Sequence, residues 1–546
     1  MPVSPARADH DPVKPSSGPT TPIPVLRCLS GLVLTGCLLG CLSGFLMGCY
    51  AVRPSQGGGN VSAQEARRCA PRDIALPAGY RIEVVANGLT FPTAVVFDDN
   101  GGLYVVEGGY AYGEEWDQPG LVRVAKVAGR NTFVPIAVGD SNGPWTGVTY
   151  APGEDGIPGH GSFFLAEGGQ LRGGRILRIG MDGRSQPLVE GLPSYGDHHT
   201  NGPVLGPDGM LYFGQGTATN SGVVGEDSHR SGWLARNRTF HDTPCQDISL
   251  SGVNYRTPDP FSPGTRRETV ETGGFRPFGS KSTAGQIIKG EIPCNGSIMR
   301  VSRKGGKPEL VAWGFRNPFA MTFAPDGRFF AIDNGYDDRG SRPVWGAGEL
   351  LWEVQKGTWY GWPDYSGSKS LDHAEFTPPH GERPQRLLDK GPGPWLPIHT
   401  LKASPPPAVT SQDGPPVPAA VLPVHASADG LDFSRSDAFG YRGQAFVAEF
   451  GDMAPSVGKV LEPVGFKVVR VDIQRGVAED FAVNGKGAGP ASRLRTGGLE
   501  RPVSLRFNPD GSSLYVVDFG VLAVSDQGPR PERRTGVIWR IWKEKK

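Results

Sequence analysis

The chain has 546 residues, of which 80 are Gly and 51 are Pro, and 56 Lys and Arg against 55 Asp and Glu leave a formal charge of +1. Gly and Pro together stand at about twice their usual share of roughly 12%, a bias that would point to disorder, but 38% hydrophobic residues with 11 Trp, 25 Phe and 14 Tyr supply the apolar surface that disordered chains lack. The even charge excludes a basic field for nucleic acid, and the missing Gly-X-Y period excludes collagen, which leaves a turn-rich fold of many short strands.

The first 27 residues are polar and carry Arg7, Lys14 and Arg27, as a cytoplasmic or signal n-region does. An uncharged run occupies 28–52, long enough to span a bilayer. It holds three Leu-x-Gly-Cys tetrapeptides that end at Cys37, Cys41 and Cys49 and resemble a bacterial lipobox. Lipoprotein or signal anchor, either reading tethers the chain to the membrane and exports the residues beyond 55 to the periplasm or cell surface. Residues 53–75, with three glycines at 57–59, read as a linker, and 76–546 as the folded domain. Beyond residue 55 the cysteines are Cys69, Cys245 and Cys294; the last two bracket a long insertion and suit a disulfide in an oxidising compartment. With no Cys-x-x-Cys in that part, neither attached c-type haem nor a zinc knuckle is expected.

A hairpin unit recurs from there on. It reads FPTAVVFDDNGGLYVVEGG at 91–109, NGPVLGPDGMLYFGQGT at 201–217, NPFAMTFAPDGRFFAIDNG at 317–335 and RPVSLRFNPDGSSLYVVDFG at 501–520, with looser copies at 145–169 and 428–452. Asp-Gly or Asn-Gly supplies the tight turn in four copies. A third, alternating strand comes after each hairpin: GLVRVAK at 120–126, GRILRIG at 174–180, GSIMRVS at 296–302, GELLWEV at 348–354, FKVVRVD at 466–472 and GVIWRIW at 536–542. Six hairpins, each with its third strand, predict six similar sheets, hence an all-β six-bladed propeller, with insertions at 218–295 and at 363–425, the second Pro-rich and partly linker-like.

In a propeller the residues just before each innermost strand converge over the central channel. Those positions hold Asp197-His198-His199 before the third hairpin, Arg316-Asn317 before the fourth and Glu500-Arg501 before the sixth. A base, guanidinium groups and an amide gathered there suit proton abstraction beside an anionic ligand, without specifying a reaction.

GDHHTNGPVLGPDGMLYFGQGT, AWGFRNPFAMTFAPDG and TWYGWPDYSG resemble the quinoprotein glucose/sorbosone dehydrogenase family over roughly 75–545, the two insertions apart. The resemblance implies a six-bladed propeller holding pyrroloquinoline quinone (PQQ) and calcium, which oxidises a sugar or aldose-like substrate and passes electrons to a separate acceptor. It implies His198 as the base for the sugar C1 hydroxyl, with Asp197 orienting it or stabilising its imidazolium; His199 is the neighbouring competitor. Arg316, Asn317 and Arg501 match cofactor-binding positions, and Gly335 and Tyr336 fall where backbone carbonyls hold calcium. The chain departs from the family where Val503 replaces a second arginine and Gly451 stands at the place of a lysine. Two other readings keep the same architecture: a non-catalytic carbohydrate- or protein-binding propeller, and a metal-dependent lactonase-type hydrolase. Trp359, Trp362 and Tyr365 read as blade packing ahead of a sugar platform, and Asp333 and Asn334 equally as turn residues or as neighbours of a metal.

Overall fold

The computed structural model describes residues 67–109, 117–127, 130–169, 172–262, 268–379, 381–389, 414–452, 460, 462–525 and 528–545. The hydrophobic run 28–52 and the linker up to residue 66 lie outside the described residues. Among those described, no helix is long and apolar enough to cross a membrane.

Six sheets of four or five antiparallel strands carry the architecture of the described residues. Blade 1 is Pro92–Phe97, Leu103–Glu107, Gly120–Val127 and Arg130–Val138, and blade 2 is Trp145–Ala151, Ser162–Glu167, Gly174–Gly180 and Ser185–Leu192. Blade 3 is Thr200–Leu205, Met210–Gln215, Ser297–Ser302 and Glu309–Trp313. Blade 4 is Pro318–Phe323, Phe329–Asp333, Glu349–Glu353 and Ala420–Leu422. Blade 5 is Ala428–Phe433, Ala445–Glu449, Lys467–Asp472 and Val477–Asn484, and blade 6 begins Pro502–Phe507, Ser513–Asp518 and Gly536–Lys543. The innermost strands pack in cyclic order, the sixth against the first, so the sheets close into a six-bladed propeller.

Closure comes from the N-terminal end of the domain. Tyr80–Leu89 pairs with Gly536–Lys543 as the outermost strand of blade 6, and Ile74–Ala75 adds a fifth strand to blade 5 against Asn484 and Val483. Residues 67–75, expected as linker, are therefore docked: Arg67 donates to the carbonyls of Thr535 and Gly498 and to Asp518, each within 2.8 Å. Ala420–Leu422, inside the stretch expected to be partly linker, is likewise the fourth strand of blade 4. Neither short strand has a hairpin partner next to it in sequence, so no local pattern marks either one.

The core lies between blades, where the alternating apolar faces of adjacent sheets meet, as in the cluster of Phe446, Val468, Phe481, Leu505, Val516 and Trp539. In the 218–295 insertion, Cys245 and Cys294 form the expected disulfide and Cys69 is a free thiol.

One repeated device sets the geometry above the channel. The second strand of each blade ends on Glu107, Glu167, Gln215, Asp333, Glu449 or Asp518. Three of these carboxylates grip the chain entering the inner strand: Glu107 accepts from the Thr90 amide, Asp333 from those of Arg316 and Asn317, and Asp518 from those of Glu500 and Arg501. In blades 1, 4 and 6 the residues ahead of the inner strand are thus fixed by hydrogen bonds to a carboxyl group of their own blade.

Candidate active site

The Asp197-His198 step continues the first hairpin of blade 3 past its regular end. The amides of Asp197 and His198 donate to the carbonyls of Ala218 and Thr217 at 3.0 Å each, and the Thr217 amide donates to the Arg316 carbonyl of blade 4 at 2.9 Å. Asp242 of the insertion fixes the other side of this loop, accepting from the Ala218 amide and the Thr219 hydroxyl at 2.6 and 2.5 Å. Gly216 leaves room for His198, because a side chain there would collide with the His198 Cβ.

His198 is 6% exposed and its Nδ1 lies 3.1 Å from the Thr217 carbonyl and 3.0 Å from Thr217 Oγ1. The Thr217 hydroxyl donates its own hydrogen to the Thr219 carbonyl at 2.7 Å, so both groups facing Nδ1 are acceptors. Nδ1 must then carry the proton and donate, which leaves Nε2 with a bare lone pair. Burial pushes the imidazole down to about 3, against a smaller opposing pull from Asp197, so the ring is neutral across the physiological range. Asp197 lies on the Nε2 side, its Oδ2 3.7 Å away. Thr217 therefore orients the neutral ring, and Asp197 is placed to stabilise the imidazolium once Nε2 takes a proton.

A network of two arginines and three aspartates surrounds this pair. Arg339 Nη2 donates to Asp197 Oδ2 at 2.5 Å and lies 2.9 Å from Asp337 Oδ2, while its Nη1 donates to Asp227 of the insertion at 2.8 Å. Arg316 Nη2 donates to Asp337 Oδ2 at 2.7 Å, and its Nε and Nη2 both reach Asn220. Burial alone would raise the Asp197 carboxyl, but Arg339, His198 and Arg316 outweigh it and hold it below the ordinary value; Arg316 and Arg339 likewise hold Asp337 low. Asp337 and Arg339 side chains are 25% and 34% exposed whereas Asp197 and Arg316 are nearly sealed, so the former pair form the open side of the cluster.

The other expected residues fall in three places. Asn317 is part of an amide chain that links inner strands: Asn201 Nδ2 donates to Asn317 Oδ1 at 2.9 Å, Asn317 Nδ2 to Asn334 Oδ1 at 2.8 Å, and Asn334 Nδ2 to Glu349 at 3.1 Å and Asp429 at 3.2 Å. Gly335 donates its amide to Glu349, and the Tyr336 hydroxyl donates to the Tyr365 carbonyl. Both line a cavity of about 10 Å³, with Arg316, Asp333 and Asn334, room for roughly one water. Arg501 is fully buried between the rings of Phe450 and Phe466, each 4.9 Å away, and its Nη1 donates to the carbonyls of Gly451 and Asp452 at 3.0 and 3.2 Å. Phe466 fills the space beside Gly451, since a Cβ there would stand 2.5 Å from its ring. Trp359 and Trp362 are buried blade packing, and His199, also buried, is pushed down to about 4. Among the described residues, no group of three or more His, Cys, Asp or Glu is arranged to hold a metal ion.

Asn220, Asp227, Asp337, Arg339 and His425 belong to the site and escaped sequence reading. His425 alone carried a usable signal, because it stands three residues before the inner strand of blade 5 that opens at Ala428. Asp337 and Arg339 lie on the chain beyond the second strand of blade 4, and Asn220 and Asp227 in the insertion, where no repeat marks them.

No protein-family model and no curated protein matches the chain. Among solved structures, the chain is similar to the holo form of the PQQ domain of pyranose dehydrogenase from Coprinopsis cinerea, at 15% identity over 86% of this chain and 97% of that one, with a TM-score of 0.48. It is similar to the calcium structure of a carbohydrate-active enzyme of Trichoderma reesei, at 16% identity over 88% and 100% of the two chains and a TM-score of 0.49. The PQQ-bound aldose sugar dehydrogenase of Streptomyces coelicolor matches at 16% identity over 86% and 99%, with a TM-score of 0.45. These are likenesses of fold, and the propeller itself stands on the sheet order and the cyclic packing of its inner strands.

Proposed function

We propose that this propeller is a quinoprotein dehydrogenase that oxidises a hydroxyl of a sugar or aldose-like substrate with PQQ and passes the electrons to a separate acceptor. The observation that carries the reading is the state of His198: a buried, neutral imidazole whose Nδ1 proton is committed to Thr217 and whose Nε2 is left as a base beside Asp197. The chain's own residues account for the proton. Nε2 accepts it from a substrate hydroxyl, the ring becomes cationic, and Asp197 at 3.7 Å offsets the new charge. Arg339 keeps Asp197 ionised for that purpose.

For the cofactor, the residues fit at one end. Arg316 commits Nε and Nη2, while its Nη1 takes no hydrogen-bond partner among the described residues and is available to a quinone oxygen. PQQ held there would supply the two-electron acceptor for the hydride that leaves the carbinol carbon, while the hydroxyl proton goes to His198. Asn317 would serve the same end through what remains of its amide. The carboxylate end has less support, with Arg501 engaged on carbonyls and Val503 and Gly451 at the other two positions. Calcium at the carbonyls of Gly335 and Tyr336 is part of the proposal, and both residues line the water-sized cavity. Export and membrane tethering through residues 28–52 complete it.

The test loads purified protein with PQQ and calcium and monitors dye reduction by a panel of aldoses. Turnover that falls at least a hundredfold in His198→Gln is expected. Absence of both PQQ binding and turnover removes the dehydrogenase reading and leaves the carbohydrate- or protein-binding propeller and the metal-dependent hydrolase; full turnover in His198→Gln removes only the base.

A further inference from the structure

His425 packs beside Asp337 in the same cluster, on a different blade from His198. Its Nδ1 lies 3.6 Å from Asp337 Oδ1, and its Nε2 is buried with no hydrogen-bond partner among the described residues. The two imidazoles thus flank one bridge: His198 stands at Asp197, His425 at Asp337, and Arg339 Nη2 joins the two aspartates. Asp337 faces Nδ1 and nothing among the described residues bonds to Nε2, so Nε2 is the nitrogen left for a ligand. Burial pushes the ring down, so it too stays neutral.

The backbone argues against a purely structural histidine. His425 has φ 61°, a left-handed conformation that glycine and asparagine adopt at lower cost than a histidine. The turn takes its hydrogen bonds from the main chain, with the Ala426 amide on the Pro423 carbonyl and the Gly451 amide on that of Ala426, and needs no imidazole. Such backbone outliers gather at binding sites.

We propose that His425 is a substrate-binding residue: its Nε2 accepts a hydrogen bond from a second hydroxyl of the polyhydroxy substrate whose reacting hydroxyl faces His198. The proposal rests on the dehydrogenase reading for the identity of that substrate. It makes the ligand class a neutral polyol, because two bare imidazole nitrogens accept from hydroxyls, while Asp197, Asp227 and Asp337 already occupy the guanidinium of Arg339 and repel an anion.

The experiment compares parent, His425→Gly and His425→Asn, the last two chosen because both residues accept the left-handed backbone. With PQQ, calcium and dye, and D-glucose, D-galactose, D-xylose and L-sorbosone as probes, His425→Gly is expected to raise KM at least tenfold while kcat changes less than about threefold. His425→Asn, which keeps an accepting oxygen, is expected to recover part of the loss. Unchanged KM in an active His425→Gly overturns the proposal and leaves the dehydrogenase reading standing. If no loaded protein turns over any probe, that reading falls, and titration calorimetry of the same sugars on protein without cofactor decides the proposal. Binding by the parent that is lost in His425→Gly then supports it; equal binding, or none by the parent, overturns it. Failure of both variants to fold, judged by melting temperature, assigns His425 to the fold and also overturns it.

Discussion

Arg339→Met perturbs the centre of the network without touching His198. Asp197 is 4% exposed and receives its shortest bond, 2.5 Å, from Arg339 Nη2; with that gone, Arg316 Nη2 at 3.8 Å is the nearest remaining arginine nitrogen in its ion pairs. Stripping one partner from a fully buried pair costs about 3–5 kcal/mol. Here the Arg339 side chain is 34% exposed and Arg316 stays, so water and the second cation reduce the expected loss to about 1–3 kcal/mol at neutral pH. The pH dependence gives the sharper test. In the parent the Asp197 carboxyl is held below its ordinary 3.8, so its stabilisation is present above that value and lost as pH falls through the lower folded value. In the variant the carboxyl rises, protonation relieves the uncompensated charge, and the deficit shrinks toward pH 4. Urea unfolding of both proteins from pH 8 to pH 4, with Arg339→Lys as the charge-retaining control, measures this. Equal stability at pH 7, or a deficit that stays constant down to pH 4, would refute the reasoning.

Separate parts of the structure carry three further expectations. Thr217→Val removes one of the two acceptors at His198 Nδ1 and keeps the carbonyl, so kcat/KM of the loaded enzyme is expected to fall about fivefold, the worth of one ordinary hydrogen bond of about 1 kcal/mol; steady-state kinetics checks it. Glu449 has both oxygens buried without a hydrogen-bond partner among the described residues and is pushed up to about 7, chiefly by burial. A raised carboxyl stabilises below its unfolded value and that contribution is lost as pH rises through 7, so Glu449→Gln is expected to be more stable than the parent at pH 8, by up to about 3 kcal/mol, with the advantage gone at pH 5. Cys245→Ser with Cys294→Ser opens a cross-link of sequence separation 49 and is expected to cost about 2–4 kcal/mol, read from denaturant midpoints.

Much of the site is legible because the propeller repeats. Asp197, His198 and Arg316 occupy equivalent positions ahead of inner strands, so a strand period alone carries them to one place. His425 shares that register, three residues ahead of the hairpin copy that opens at 428. Asn317 and Arg501 are placed correctly by the same logic, yet their side chains turn to neighbours that no repeat reveals: Asn317 to the asparagines of blades 3 and 4, Arg501 to carbonyls and two aromatic rings. The insertion is visible as a break in the pattern, but nothing in it announces that Asn220 and Asp227 close on the arginines.

By itself the amino-acid sequence determined the six hairpins, their third strands and the all-β class, because strand alternation and Asp-Gly turns are local properties with a period of their own. Only the tertiary structure decided the closing strands, which pair residues more than four hundred positions apart, and the partners of each charged side chain at the channel. It also decided the protonation of His198. That state rests on burial and on the hydroxyl of Thr217 being committed to Thr219, and both depend on where distant segments bring their atoms.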